Sequence, residues 1–203
     1  MANTAIATNP HTFMHGFRAG MAGPFCYGDK QVVFYIDTNS DLAYVYSSDA
    51  GATWGSPVIA KAGTISPLAF QYATERQGDT SDDLYIAYYN AATNDIIFRK
   101  FHVDTETLDG EVDIGNGAGI GGSLNTIFIS GAQNGDIGVG WVSSTFSISV
   151  FVVSTNGGSS FSASTSPWEA HAADIVMGIW PETSTASDHA ILFYDLSAGE
   201  ISV

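Results

Sequence analysis

Oxygen-bearing side chains dominate the chemistry that this sequence could perform. The chain of 203 residues carries 21 Asp and Glu against 6 Lys and Arg, which gives a formal net charge of −15. Such a surface repels phosphate backbones and anionic headgroups, so we expect no nucleic-acid partner and no membrane insertion. Cations, neutral sugars and basic protein patches remain possible partners. Two carboxylates can hydrolyse a glycosidic bond when they are about 5–5.5 Å or 6.5–9.5 Å apart. Nothing in the sequence singles out such a pair among the acidic residues.

Alternating oxygen side chains also occur in the segment that contains Asp37, Asn39 and Asp41. This pattern is typical of a calcium loop, but the segment lacks the Gly and the Glu that an EF-hand has at its sixth and twelfth positions. We interpret it as a polar hairpin turn. A further acidic group, which consists of Asp79, Asp82 and Asp83, is interpreted as a solvated loop, with calcium binding as the alternative.

Other residue types that support catalysis or metal binding are sparse. On one strand, His11 and His15 would lie roughly 13 Å apart, too far to share an ion. The segment His171–Asp174 could meet them near the ring axis, but we do not predict a metal site there. The chain has no P-loop, G-x-S-x-G or C-x-x-C pattern, so we expect no cofactor and no metal. The single cysteine, Cys26, is interpreted as a small buried apolar side chain rather than a nucleophile.

An internal repeat defines the elements that must position these groups. Four apolar runs each carry an aromatic residue two places before a small polar one, and those aromatics are 53, 53 and 52 residues apart. A short polar turn and a second β-prone run follow each of them, which is typical of a β-hairpin. The four runs are Val33–Asp37, Ile86–Asn90, Val139–Ser143 and Ile191–Asp195.

The repeat predicts an all-β protein with one domain over residues 1–203, a β-propeller of four blades with four antiparallel strands each. The repeat units are approximately 9–60, 61–114, 115–167, and 168–203 together with 1–8. We expect the first strand of the first unit between Phe13 and Met21. The last unit lacks an outer strand, so the N-terminal run Thr4–Thr8 is predicted to pair with it and close the ring. The alternatives are a fragment of a larger propeller and a ring completed by another copy.

Two turns carry a further motif, S-x-D-x-G-x-T-W. The first copy contains Ser47, Asp49, Gly51, Thr53 and Trp54, and the looser second copy, 107 residues later, contains Ser154, Asn156, Gly158 and Phe161. The motif resembles the Asp box, or BNR repeat, of sialidase-like β-propellers. In such a turn the carboxylate or amide caps backbone N–H groups, the Gly adopts a conformation closed to other residues, and the aromatic packs between sheets. The resemblance therefore implies a structural role for these residues.

The resemblance also allows a test for sialidase chemistry. Sialidases use three arginines to bind the substrate carboxylate, a Tyr–Glu nucleophilic pair and an Asp acid. The only arginines here are Arg18, Arg76 and Arg99. Phe17 and Arg18 match part of the family's F-R-I-P segment, Arg76 falls in a loop, and Arg99 and Lys100 should point to opposite faces of a strand. We do not expect the arginines to converge. The family usually has six blades, whereas this chain has room for four.

The hairpin turns should crowd one face of the ring, which we call the turn face. The residues predicted to contact a ligand there are Asp37, Asn39, Asp41, Asn90, Asp95, Asp195 and Trp168. Small polar and amide groups suit a glycan, especially a neutral sugar, or a protein partner. We expect a non-enzymatic recognition or adhesion module without a signal peptide, displayed on a virion or cell surface. The alternatives are a structural subunit of a larger assembly, a homo-oligomer, and a sialidase-like glycoside hydrolase.

Overall fold

The computed structural model describes the backbone of residues 21–63, 65–73, 81–116, 126–131, 135–142, 149–162, 175–181, 189–195 and 200–202. Every regular element in these ranges is a β-strand. None of the described residues belongs to a helix long and apolar enough to cross a bilayer. The predicted closing strand Thr4–Thr8 lies outside the described residues.

The described strands form four antiparallel sheets that follow the chain order. The first contains β1 (Met21–Tyr27), β2 (Lys30–Ile36), β3 (Leu42–Ser47) and β4 (Val58–Lys61). The second contains β5 (Ile65–Ala73), β6 (Asp83–Asn90), β7 (Asp95–His102), β8 (Thr107–Leu108) and β9 (Val112–Asn116). The third contains β10 (Thr126–Gly131), β11 (Ile137–Val142) and β12 (Ser149–Ser154). The fourth contains β13 (Ile175–Pro181), β14 (His189–Asp195) and β15 (Glu200–Ser202).

Each sheet contains the hairpin that its repeat predicts. The pairs β2–β3, β6–β7, β11–β12 and β14–β15 are all antiparallel, and a further strand pairs on the upstream side of each hairpin. Among these upstream strands, β10 lies beside both β5 and β13. Successive sheets are therefore neighbours in space, in the order in which they occur along the chain.

The predicted position of the first upstream strand was wrong. That strand is β1, which begins at Met21, where the predicted one ends. Tyr27 pairs with Lys30, so the connection to β2 is a turn of only two residues, Gly28 and Asp29, and Gly28 has a φ of 58°. Glycine accepts this left-handed conformation readily. The upstream strand therefore lies nearer to its hairpin along the chain than in the other repeats, where longer linkers separate the two.

Strand β2 is buried on both of its faces. Val32 and Phe34 belong to a core shared with the second sheet, whereas Val33 and Tyr35 belong to a separate core on the opposite face. Successive side chains of a strand point to opposite faces. A strand that is covered on both sides consequently reads as a continuous apolar run instead of alternating with polar residues.

The second sheet separates two cores. One face contributes Ile86 and Tyr88 to the core shared with the first sheet, and the other contributes Phe98 to a core that contains Trp141 of the third sheet. The contact with the third sheet is close, since a Cβ atom added at Gly115 would lie 2.6 Å from the Trp141 ring. The packing between neighbouring sheets thus determines which side chains from the two sheets meet at the ends of the strands.

Candidate functional site

Asp37 caps the first hairpin turn of the turn face. Its carboxylate Oδ1 accepts hydrogen bonds from the backbone N–H of Asn39 at 2.8 Å and of Asp41 at 2.9 Å. The residue is only 2% exposed. An Asp in this position satisfies turn N–H groups that would otherwise lack a partner. The carboxylate of Asp37 therefore serves the turn, and the Asp41 carboxylate likewise accepts the N–H of Gly63.

The second turn is built in the same way but presents different groups. Asn90 is 5% exposed, and its Oδ1 accepts the N–H of Ala92 at 3.1 Å. By contrast, Asn39 is exposed and Asp95 is half-buried. These two side chains are accessible predicted ligand contacts, and Asp41 is half-buried like Asp95, with one carboxylate oxygen bonded to Gly63. Asp195 ends β14, with only its backbone described, and Trp168 lies outside the described residues.

The two turns lie at the same end of neighbouring sheets. Lys61 pairs with Leu42, the residue that follows the first turn, and its ammonium contacts Glu111 at 2.9 Å. Glu111 in turn accepts a hydrogen bond from Tyr88, two residues before Asn90. The structure thus brings together the described part of the turn face across the junction of the first two sheets.

The motif-bearing turns share one hydrogen-bond pattern. In the first, the Ser47 hydroxyl donates to Asp49 at 2.8 Å and accepts the N–H of Gly51 at 2.9 Å. In the second, the Ser154 hydroxyl donates to Asn156 at 2.9 Å and accepts the N–H of Gly158 at 2.8 Å. The N–H groups of Thr53 and Ser160 then bond to the Asp49 and Asn156 side chains.

The charge and the packing of these turns follow from that pattern. Hydrogen bonds from the hydroxyl and the N–H of Thr53 hold the pKa of Asp49 below its ordinary value. Phe161 of the second turn packs on Phe98 of the second sheet, with ring centroids 5.0 Å apart. Trp54 of the first turn packs against the core that contains Tyr35. Each aromatic thus anchors its turn against apolar side chains.

A polar cluster at the junction of the first and second sheets had no signal in the sequence. The Tyr88 hydroxyl donates to Glu111 at 3.0 Å, and the same carboxylate binds Lys61. Arg99 donates to the backbone carbonyls of Ala60 at 2.7 Å and Asp109 at 2.8 Å. Tyr88 and Glu111 are 23 residues apart, and only the packing of the sheets brings Lys61 and Ala60 to them.

The electrostatics of this cluster oppose a nucleophilic role for its tyrosine. Burial, followed by the Glu111 charge, raises the pKa of Tyr88 far above its ordinary value. Burial also pushes the pKa of Glu111 upward, but hydrogen bonds from Lys61 and Tyr88 outweigh it and leave that pKa lowered. Tyr88 is 0% exposed, so a substrate cannot reach its oxygen. The arginine is held on two carbonyl groups, which leaves it a poor carboxylate clamp.

A second polar cluster surrounds the start of β6. The Nδ1 atom of His102 lies 2.7 Å from Asp83 Oδ1, and Lys100 binds the other oxygen of Asp83 at 2.9 Å. Asp83 is therefore paired, with its side chain 16% exposed, and its assignment to a solvated loop was wrong because β6 begins earlier than predicted. Asp82, Asp83 and His102 have ligand atoms within 4.8 Å of one another, but the Lys100 ammonium competes with any cation there.

The predicted burial of Cys26 was also wrong. The residue is exposed. It lies near the end of β1, one residue before Tyr27, whose side chain is 39% exposed. The edge position of β1 among the described strands of the first sheet leaves this end of the strand uncovered.

Two open grooves adjoin the motif-bearing turns. The first, with a volume of about 300 Å³, lies between the Ser47–Trp54 turn and Glu106 of the second sheet, and we call it the Trp54 groove. The second, of about 330 Å³, lies between Lys100 and the turn at Gly158. Pockets that bind small molecules have volumes of about 300–1,000 Å³, so both grooves are large enough for a small ligand.

Comparisons with known proteins identify the fold. No model of a known protein family matches the sequence, and no curated protein matches it either. An ulvan lyase, which represents a new family of polysaccharide lyase, is similar with a TM-score of 0.56 and 12% identity over 93% of this chain. A xyloglucanase from Xanthomonas campestris is similar with a TM-score of 0.54 and 15% identity over 85% of this chain.

A third similar structure is an intramolecular trans-sialidase from Ruminococcus gnavus, with a TM-score of 0.45 and 13% identity over 81% of this chain. The chain spans 46%, 26% and 36% of the lengths of these three proteins, less than half of each. At such identities the first two likenesses show the fold alone, which is an all-β, propeller-like arrangement of antiparallel sheets.

Proposed function

We propose that this chain is a non-enzymatic recognition module that binds a glycan at its turn face. The observation that carries the proposal is that the side chains that sialidase chemistry would need already bond to other groups of the protein. Tyr88 and Arg99 are held in the sheet junction, and Tyr88 is buried. Asn39 and Asp95 are accessible instead, and such amide and carboxylate groups bond well to sugar hydroxyls.

The fold supports the same class of ligand at a coarse level. Two proteins that share the fold are, by name, a polysaccharide lyase and a xyloglucanase. The net charge of −15 favours a neutral sugar over an anionic one because like charges repel. Display on a virion or cell surface stays a prediction from the sequence.

We further infer that the four sheets form a closed ring with the four predicted blades. The support comes from the face of the first sheet that points away from the second. Val33, Tyr35, Ala43 and Val45 on this face are at most 2% exposed. At the end of an open arc this face would be in contact with water, so we propose that the fourth sheet covers it. Small-angle scattering should then give a radius of gyration of about 17 Å for the monomer, and a larger value contradicts closure.

A glycan array tests the function. The wild-type protein should bind neutral oligosaccharides and not sialylated ones, and the same sample should release no product from a fluorogenic sialoside. An Asn39→Tyr variant, which places a bulky side chain on the turn face, should give a weaker signal. Product release from the sialoside would favour the hydrolase instead. Absence of binding to every glycan would contradict the proposal.

A second candidate function is assembly with other copies of the chain. Strand β4 lies at the edge of the described first sheet, and its Val58 and Ile59 are 41% and 48% exposed. An apolar strand at a sheet edge can pair with the same edge of a second copy. Light scattering should then detect a concentration-dependent dimer that Ile59→Lys abolishes. A monomer at every concentration contradicts this function.

A further inference from the structure

We propose that the Trp54 groove is a second carbohydrate site, specific for neutral sugars. This inference rests on the proposed function, since it extends glycan binding to a separate part of the molecule. Strand β3 runs from Leu42, beside the turn face, to Ser47, on the floor of the groove. At about 3.3 Å per residue, these two ends are roughly 17 Å apart. One sugar ring cannot occupy both sites.

The lining of the groove combines the groups that bind sugars. Trp54 and Tyr46 are half-buried and offer aromatic surface, while Ser48, Ser56 and Glu106 are exposed and offer hydroxyl and carboxylate groups. An aromatic face packs against the apolar C–H face of a sugar ring, and the polar groups fix the hydroxyls. A carboxylate is a strong acceptor for such hydroxyls.

The charge of the lining selects neutral sugars. Glu106 is the one charged residue among the described lining residues, which include no Lys or Arg. A sialic acid or a sulfated sugar would place its own negative charge near this carboxylate in a protein that is already strongly acidic. Repulsion therefore disfavours anionic glycans, whereas a neutral sugar brings only hydroxyl groups.

The groove is held in one shape by a hydrogen bond between its two sides and by one within the first sheet. The Tyr46 hydroxyl donates to the carbonyl of Val103 in the second sheet at 2.9 Å. The N–H of Gly55 donates to the carbonyl of Tyr46 at 2.8 Å, which fixes the chain just after Trp54. A preformed site loses little conformational freedom on binding, and more of the contact energy then appears as affinity.

Glu106 lies at a turn position that few residue types occupy readily. Its φ of 53° lies in the left-handed region, which is uncommon for residues other than Gly, Asn and Asp. Glycine would occupy this turn position without strain. The turn residues Ser40, Ala50 and Asn94 have similar φ values, so this conformation belongs to the turn, and here the residue that adopts it lines the groove.

The test measures affinity and stoichiometry by titration calorimetry with cellotetraose, xylotetraose and galactotetraose. Three variants change the groove: Ser48→Tyr blocks it, Glu106→Gln removes its charge, and Trp54→Phe removes the indole. The fold tolerates an aromatic exchange at this turn position, since Phe161 occupies it in the other turn. Thr155→Tyr is the matched control, because Thr155 is the exposed equivalent of Ser48 in that second turn.

We expect the wild type to bind two molecules of one of these sugars and Ser48→Tyr to bind one. Glu106→Gln should weaken the groove site roughly ten-fold, and Thr155→Tyr should change nothing. If the three groove variants match the wild type while Asn39→Tyr abolishes all binding, the groove site is wrong and the proposed function stands. If the wild type binds no sugar of any kind on the glycan array, the proposed function fails and this inference fails with it.

Discussion

The hydroxyl of Tyr88 donates to Oε1 of Glu111 at 3.0 Å, although 23 residues separate the two along the chain. Lys61 of the first sheet binds the same carboxylate, so the ammonium of Lys61 links this pair within the second sheet to the first sheet. The pair has the residue types of a sialidase nucleophile and its base. The burial of the hydroxyl makes it a structural contact instead.

Removal of the Tyr88 hydroxyl should therefore cost stability. We expect Tyr88→Phe to lower the free energy of unfolding by about 1–3 kcal/mol, since it deletes a buried hydrogen bond to a charged group. Chemical denaturation measures this change, with Tyr89→Phe as the control, because the Tyr89 hydroxyl bonds to Asn94 of the adjacent turn. An unchanged stability in Tyr88→Phe would show that this hydrogen bond does not stabilise the fold.

The pH dependence of stability should reveal the Glu111 carboxylate. Its pKa is lowered below the ordinary value of 4.5 in the folded state, so its contribution is present above about pH 4.5 and is lost as the pH falls through the folded pKa. Glu111→Gln should be less stable than the wild type near neutral pH, and the difference should shrink in acid. Denaturation curves at several pH values measure it, and a difference that grows in acid contradicts the assignment.

The junction of the second and third sheets should be intolerant of a single methyl group. At Gly115 an added Cβ would lie 2.6 Å from the ring of Trp141, which is 1% exposed. We expect Gly115→Ala to destabilise the fold by about 1–3 kcal/mol through overpacking. Gly110→Ala is the matched control, because nothing lies within 4 Å of its added Cβ. Equal stabilities of the two variants would mean that the sheets pack less closely than described.

The strain at Glu106 predicts a trade-off between stability and binding. Glu106→Gly should raise the free energy of unfolding by about 0.5–1 kcal/mol, because glycine accepts the left-handed conformation, and it should weaken sugar binding in the Trp54 groove. Ala50→Gly is the control, since Ala50 also has a positive φ, of 57°, but carries no group that could bond to a sugar. It should gain stability with unchanged affinity. A loss of affinity in both variants would contradict the role of the carboxylate.

The sequence predicted the hairpins because their signals are local. The run Val33–Asp37 and its polar turn lie within a few residues of each other, and β2 and β3 form where expected. The sequence misplaced β1 because the two-residue turn at Gly28 breaks the pattern of the other repeats. It gave no sign of the Tyr88 contact or of the Trp54 groove, since both need side chains from two sheets to meet. Such contacts depend on how two sheets pack against each other, and the spacing of residues along the chain does not predict that packing.

Binding without cleavage is tested most directly by NMR of a neutral oligosaccharide in the presence of the protein. The best binder from the glycan array is incubated with wild type and with Asn39→Tyr, and its proton signals are recorded over many hours. We expect line broadening with the wild type, less broadening with the variant, and an unchanged set of sugar signals throughout. The appearance of new anomeric or unsaturated-sugar signals would mean cleavage and would contradict a non-enzymatic recognition module.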